Sequence, residues 1–140
     1  MILVDTSGLL PAYHRGDKHR SEVQQIIERS SKRILSPFVL TEMDYMVTRY
    51  GGTRAEAALL DDVARGAYEL VPFTAADVAL AHEVIVRYAD LELGLADASI
   101  VVLAHRFNCR SLLTLDKRHF RALHGPLGQP FHILPADKDE

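Results

Sequence analysis

Two short apolar runs in this chain end abruptly on an aspartate. Ile2-Leu3-Val4 leads into Asp5, with Thr6 and Ser7 following, and Ser111-Leu112-Leu113-Thr114-Leu115 leads into Asp116. Such runs, bounded by polar residues, read as buried strands. Ligands of open α/β sheets bind just past the carboxyl ends of the strands, so both aspartates stand where chemistry is expected. Thr114 lies two residues before Asp116, and its hydroxyl shares a side with that carboxylate if the strand persists. Two further acids occupy unexpected places. Glu42 has Phe38, Val39, Tyr45 and Met46 as helical neighbours, which sets a carboxylate in or beside an apolar stripe. Asp97 falls between Leu93-Gly94 and Ile100-Val101, in the first turn of an apolar helix where the macrodipole favours negative charge.

Singly, each has an ordinary explanation. Asp5 and Asp116 also read as helix N-caps, Asp97 as a first-turn acid, and Glu42 as a side chain reaching for water. Jointly they suggest more, because strand-end aspartates can lie on adjacent parallel strands with the other two helices flanking that edge. Like charges about 4 Å apart repel by about 4 kcal/mol at an effective dielectric of roughly 20. Gathered carboxylates therefore need protons or a cation. All-oxygen donors with no cysteine or histidine pair select hard ions, Mg²⁺ or Mn²⁺ rather than zinc. The chemistry such a site suits is in-line displacement at a phosphodiester. The hydroxyls of Thr6, Ser7 and Thr114 would orient water or the carboxylates themselves.

The elements that must position these residues alternate between strand and helix. A short helix is expected over residues 9–14, with Pro11 tolerated in its first turn. Asp17 is expected to cap a second helix carrying Val23, Ile26 and Ile27. Arg33-Ile34-Leu35 reads as a strand, and Ser36-Pro37 as a sharp helix start running to Tyr50 and stopping at Gly51-Gly52. Thr53 and Glu56 form a capping-box pattern for the next helix, with Leu59, Leu60 and Val63 turned inward and an end near Gly66. Residues 69–73 read as a strand. Thr74 and Asp77 then open a helix through Val78, Ala81, Ile85 and Tyr88. An apolar helix over residues 95–107 breaks at Asn108. After Asp116 a short helix extends to about Leu123, stops at Gly125, and residues 131–134 make a last strand. Short apolar strands separated by helices predict an α/β fold with a parallel sheet covered on both faces.

The chain has 140 residues, of which 48% are apolar, enough for one domain with a real core. No apolar run is long enough to span a bilayer. Residues 1–5 lack the basic region of a signal peptide, and the single cysteine, Cys109, suits a reducing cytoplasm. The net charge of -3 is not that of a typical nucleic-acid binder. Acids gathered in one pocket would hide a basic rim in that total. Two basic clusters exist, His14, Arg15, Lys18, His19 and Arg20 early, then Lys117, Arg118, His119 and Arg121 late. Solvated surface is the plain reading of both. His14, His19 and His119, set among lysines and arginines, read as surface contacts rather than general bases, and Asp90 as a surface or capping acid. Arg15, Lys18, Arg20, Lys117 and Arg118 are the candidates for phosphate contacts.

The segments ILVDTSGLL, LTEMDYMV, GLADASIVVLAHRF and LLTLDKRHF, in this order from about Ile2 to Leu134, resemble those of the PIN-domain nucleases, specifically VapC-type toxins of bacterial toxin–antitoxin pairs. The resemblance implies a three-layer α/β/α PIN-like domain over residues 1–135, with strand order 3-2-1-4-5 and a frayed acidic tail at 136–140. It carries an acidic quartet onto Asp5, Glu42, Asp97 and Asp116, a supporting polar residue onto Thr6 or Ser7, and a hydroxyl onto Thr114. It further implies a Mg²⁺- or Mn²⁺-dependent endoribonuclease that cuts structured RNA, tRNA or rRNA, and so stops translation. A cytoplasmic homodimer blocked by a small antitoxin, with which it can form a hetero-oligomer, completes that picture, with no membrane partner. The alternatives are a PIN nuclease of RNA processing and a catalytically silent metal-binding module that acts through a protein partner.

Overall fold

The buried strand β1 (Ile2–Val4) lies at the centre of a five-stranded sheet in the computed structural model, which describes residues 1–138. β2 (Arg33–Leu35) and β4 (Ser111–Leu113) flank it, β3 (Glu69–Leu70) and β5 (His132–Leu134) form the edges, and every pairing is parallel. The order is β3-β2-β1-β4-β5, as the resemblance implied. Between the strands run α1 (Thr6–Leu9), α2 (Arg20–Arg29), α3 (Pro37–Ala64), α4 (Ala75–Arg87), α5 (Leu95–Phe107) and α6 (Lys117–Ala122). The chain steps one way from β1 to β3 and the opposite way from β3 to β5. Right-handed crossovers therefore set α2 and α3 on one face and α4 to α6 on the other, giving the expected α/β/α layers.

The core explains why the strands can be so short. Ile2, Leu3, Val4, Ile34, Leu35, Leu112, Leu113 and Ile133 are all at most 1% exposed, and they pack with Val39 and Met43 of α3, Ile100 and Leu103 of α5 and Phe120 of α6. Both sheet faces are covered, so continuous apolar runs replace alternation. α5 is buried from Ala98 through Ala104, and Ala98 and Val102 meet Ala81 of α4, where small side chains let the two helices approach closely.

Several helix signals are used as the sequence predicts. Ser36 Oγ accepts from the Phe38 amide at 3.2 Å with Pro37 in the first turn. Thr74 and Asp77 complete a reciprocal capping box. The helices expected on either side of Gly51-Gly52 join as α3, broken at Gly52, whose φ of 70° suits glycine.

Other expectations need correction. The first helix starts at Thr6, not Leu9, and residues 10–13 are a 3-10 turn. Gly8 permits this, because a Cβ there would stand 2.2 Å from the Leu113 carbonyl oxygen. Asp17 accepts from the His19 amide at 2.8 Å and forms a turn before α2 rather than capping it. β3 is limited to Glu69 and Leu70, with Pro72 unable to donate to a ladder. Leu60 and Val78 face solvent at 43% exposure each. The expected frayed tail is held at Asp137, which is 4% exposed, and at Lys138, which pairs with Glu22 at 2.8 Å. Residues 139 and 140 of that tail lie outside the described residues.

A candidate acidic active site at the carboxyl edge of the sheet

The parallel register decides which residues meet. Leu3 pairs with Leu112 and Val4 with Leu113, so Asp5 emerges beside Thr114, and the Asp5 amide donates to the Leu113 carbonyl at 3.0 Å. Asp5 is 5% exposed. Its Oδ2 accepts from Thr114 Oγ1 at 2.7 Å and from Ser7 Oγ at 3.0 Å. Both hydroxyls also tie down the loop after β4, with Ser7 Oγ accepting from the Leu115 amide and Thr114 Oγ1 from the Asp116 amide, each at 3.0 Å. α1 brings Ser7 this close only because Gly8 has no side chain. Burial pushes the Asp5 carboxyl up, hydrogen bonds from Thr114, Ser7 and the Thr6 amide oppose it, and nearby Glu42 adds to the push.

The other acids arrive on two helices and a loop. Glu42, on the second turn of α3, accepts from Thr6 Oγ1 at 2.7 Å. It is exposed, as is its neighbour Tyr45, so it stands at the rim and not in the apolar stripe the sequence suggested. Asp97 is carried by the first turn of α5. That turn is seated by a buried relay in which Ser36 and Ser99 hydroxyls meet at 2.7 Å and Ser99 donates to the Ala96 carbonyl at 2.6 Å. The Asp97 carboxyl is raised to about 6, by burial first and then by Asp5, with Glu42 and Asp116 adding and His119 opposing. All four acids therefore share one electrostatic neighbourhood.

Asp116 caps α6 by accepting from the His119 amide at 3.3 Å, and its other oxygen meets His119 Nδ1 at 2.8 Å. The same nitrogen stands 4.0 Å from Asp97 Oδ2. His119 is thus part of the cluster, against its reading as a surface contact. The available signal was its position three residues after Asp116 at a helix start, which turns both side chains to one side.

The basic candidates divide. Lys117 and Arg118 are exposed on the first turn of α6, next to Asp116. Arg15 and Arg20 line a groove of about 600 Å³ together with Tyr50 and Arg54, and none of the four acids lines it. Lys18 lines a separate hollow with Glu22 and Lys138.

The donor set fits a hard cation. The four acids offer only oxygens, two of their carboxyls are raised by burial first and then by crowding, and no lysine or arginine is paired with any of the four among the described residues. Among those residues no three carboxylate, imidazole or thiol groups are drawn up around a single ion position. Two of the four acids are engaged instead by Thr6 and His119.

The chain is similar to known proteins over most of its length. A model of the PIN domain matches residues 2–125. Ribonuclease VapC26 of Mycobacterium tuberculosis is 38% identical over 135 residues, which are 96% of this chain and 100% of that protein. The crystal structure of M. tuberculosis VapC20, described as a sarcin-ricin loop cleaving toxin, matches with a TM-score of 0.77 at 22% identity, over 84% of this chain and 92% of that one. VapBC2 of Rickettsia felis, solved bound to a DNA fragment from its promoter, matches with a TM-score of 0.68 at 18% identity, over 95% and 98%. These two likenesses are of fold. On the sequence matches, the chain belongs to the PIN domain family.

Proposed function

We propose that this protein is a metal-dependent endoribonuclease, the toxin of a type II toxin–antitoxin system, acting on structured RNA such as tRNA or rRNA. One observation carries the reading. Asp5, Glu42, Asp97 and Asp116 come together at the sheet edge, and among the described residues no cationic side chain is paired with them apart from the imidazole of His119. Likeness to a ribonuclease across nearly the whole chain supports it.

Asp5, Glu42, Asp97 and Asp116 would hold Mg²⁺ or Mn²⁺. When bound, such an ion supplies charge neutralisation for the oxyanions of a phosphodiester undergoing in-line attack by water. The chain's own residues orient that chemistry. Ser7 and Thr114 fix the Asp5 carboxylate, Thr6 fixes Glu42, and the buried Ser36–Ser99 pair fixes the helix turn carrying Asp97. Lys117 and Arg118 flank the site where a phosphate chain would pass, with Arg15, Lys18 and Arg20 as more distant contacts. Among the described residues no helix is long and apolar enough to cross a membrane. The protein works as a homodimer, held silent by a small cognate antitoxin.

The test is cleavage of total cellular RNA by purified protein with Mg²⁺, with EDTA, and by Asp5→Asn. The expected result is defined cuts in Mg²⁺ that vanish in the other two conditions. Undiminished cutting by Asp5→Asn would overturn the assignment. Growth arrest on expression, relieved by the product of a small neighbouring reading frame, tests the toxin role separately.

A further inference from the structure

His119 grips both oxygens of one acid and faces a second. Its amide donates to Asp116 Oδ1 at 3.3 Å, and Nδ1 lies 2.8 Å from Asp116 Oδ2 and 4.0 Å from Asp97 Oδ2. An ionised carboxylate only accepts, so Nδ1 is the nitrogen that carries the proton. The helix that carries the ring is fixed. The next residue, Phe120, is 0% exposed and packs edge-on against Phe131 with centroids 6.0 Å apart, which anchors α6. An imidazole can donate from Nδ1 without bringing a permanent charge, whereas a lysine or arginine there would occupy the cation's own ground.

We infer that His119 is a positioning residue. By holding Asp116 from Nδ1 while facing Asp97, it fixes the relation of these two carboxylates and so sets the affinity of the site for a divalent cation. The inference rests on the reading of the four acids as a cation site. A residue that orients a metal-binding carboxylate acts through it and touches no substrate.

Mn²⁺ alone, titrated calorimetrically into the full chain without RNA, tests this. His119→Ala is expected to weaken Mn²⁺ binding by about tenfold, the usual effect of losing an outer partner. His119→Asn, whose amide nitrogen falls near the Nδ1 position, restores it, and His119→Gln, whose amide falls near Nε2, does not. In cleavage assays the same order appears in the rate at limiting Mn²⁺ and the differences close at saturating Mn²⁺, with KM for RNA unchanged. Mn²⁺ affinity in His119→Ala equal to or above wild type would overturn the inference. Should the alanine variant not fold, equal Mn²⁺ affinity in the Asn and Gln variants would overturn it. Wild-type protein that binds no Mn²⁺ would overturn the cation reading itself, and this inference with it, an outcome distinct from the others.

Discussion

Aspartates find two opposite settlements in this molecule. Asp77 and Asp137 are satisfied acids. Asp77 takes the Thr74 amide and the guanidinium of Arg106, at 2.8 and 2.6 Å, and its carboxyl is held below the usual range, first by that amide and then by Arg106. Asp137 is held by both terminal nitrogens of Arg121 and by the Ile133 amide, and its carboxyl falls to about 2, Arg121 being the main cause. At the sheet edge the same side chain meets hydroxyls, other carboxylates and one imidazole. There Asp5 is raised, and Asp97 rises to about 6. Where acids serve the fold they are given arginines. Where none is paired with them among the described residues, burial first and neighbouring acids second hold their carboxyls high, a cost that protons or a cation can relieve.

Exchanging one acid of each kind for asparagine gives the sharpest contrast. Asp5→Asn is expected to lower RNA cleavage by at least about a hundredfold while remaining folded. Asp137→Asn is expected to lower the melting temperature by about 5 °C or more, because the charge facing Arg121 is lost and the new NH2 group meets the second guanidinium nitrogen, from which it cannot accept. Cleavage by the folded fraction then stays within about threefold of wild type, as expected of a residue outside the reacting groups. Circular dichroism melts and gel assays on the same preparations measure both. A result in which Asp5→Asn unfolds, or Asp137→Asn cleaves poorly while fully folded, would erase the distinction.

The two kinds also differ in the direction of their pH dependence. A raised carboxyl binds its proton more tightly in the folded chain, so folding is favoured at low pH and the advantage fades as pH rises past the unfolded value near 3.8 toward about 6. In EDTA, Asp97→Asn is therefore expected to melt a few degrees above wild type at pH 7, with the gap closing as pH falls to 4. A lowered carboxyl behaves in reverse. The Asp137 contribution is full above the unfolded value and is lost as pH falls from about 4 toward about 2. The penalty in Asp137→Asn should shrink over that lower window. Differences between variant and wild type, taken from melts at each pH, isolate each group from the rest of the titration.

Much of the site was legible because its placement is local. A strand that ends on an aspartate, or a helix that opens with Ser-Pro or Thr-x-x-Asp, carries its own geometry, and Asp5, Asp116, Ser36 and Thr74 sit as their patterns indicate. Strand order was not legible in this way, since runs of two or three apolar residues carry no pairing information, and it came from family resemblance. The start of α1 was obscured because Thr, Ser and Gly are poor helix formers, and packing on β4 overrides that preference. His119 and Asp137 were misjudged for a common reason. Each lies in a charged stretch that reads as solvated surface, yet each turns one side inward, to a partner at Asp116 or Arg121 that composition does not reveal.

The smallest effect tests whether pairing alone separates the two kinds of acid. Arg65 bonds both Asp61 and Asp62 at 2.8 Å, but Arg65 and Asp61 are exposed at 66% and 64%. Water competes for both charges there, and such pairs contribute little. Arg65→Ala is therefore expected to shift the melting temperature by less than about 2 °C. Asp62 differs, because its second oxygen accepts from Tyr13 at 2.7 Å, and Tyr13 in turn meets Tyr68 at 2.8 Å. Asp62→Ala removes an acceptor from a half-buried hydroxyl pair and should cost more than Arg65→Ala. If the two variants melt together, burial is not what gives a paired acid its weight, and the contrast between Asp137 and the sheet-edge acids would have to rest on charge alone.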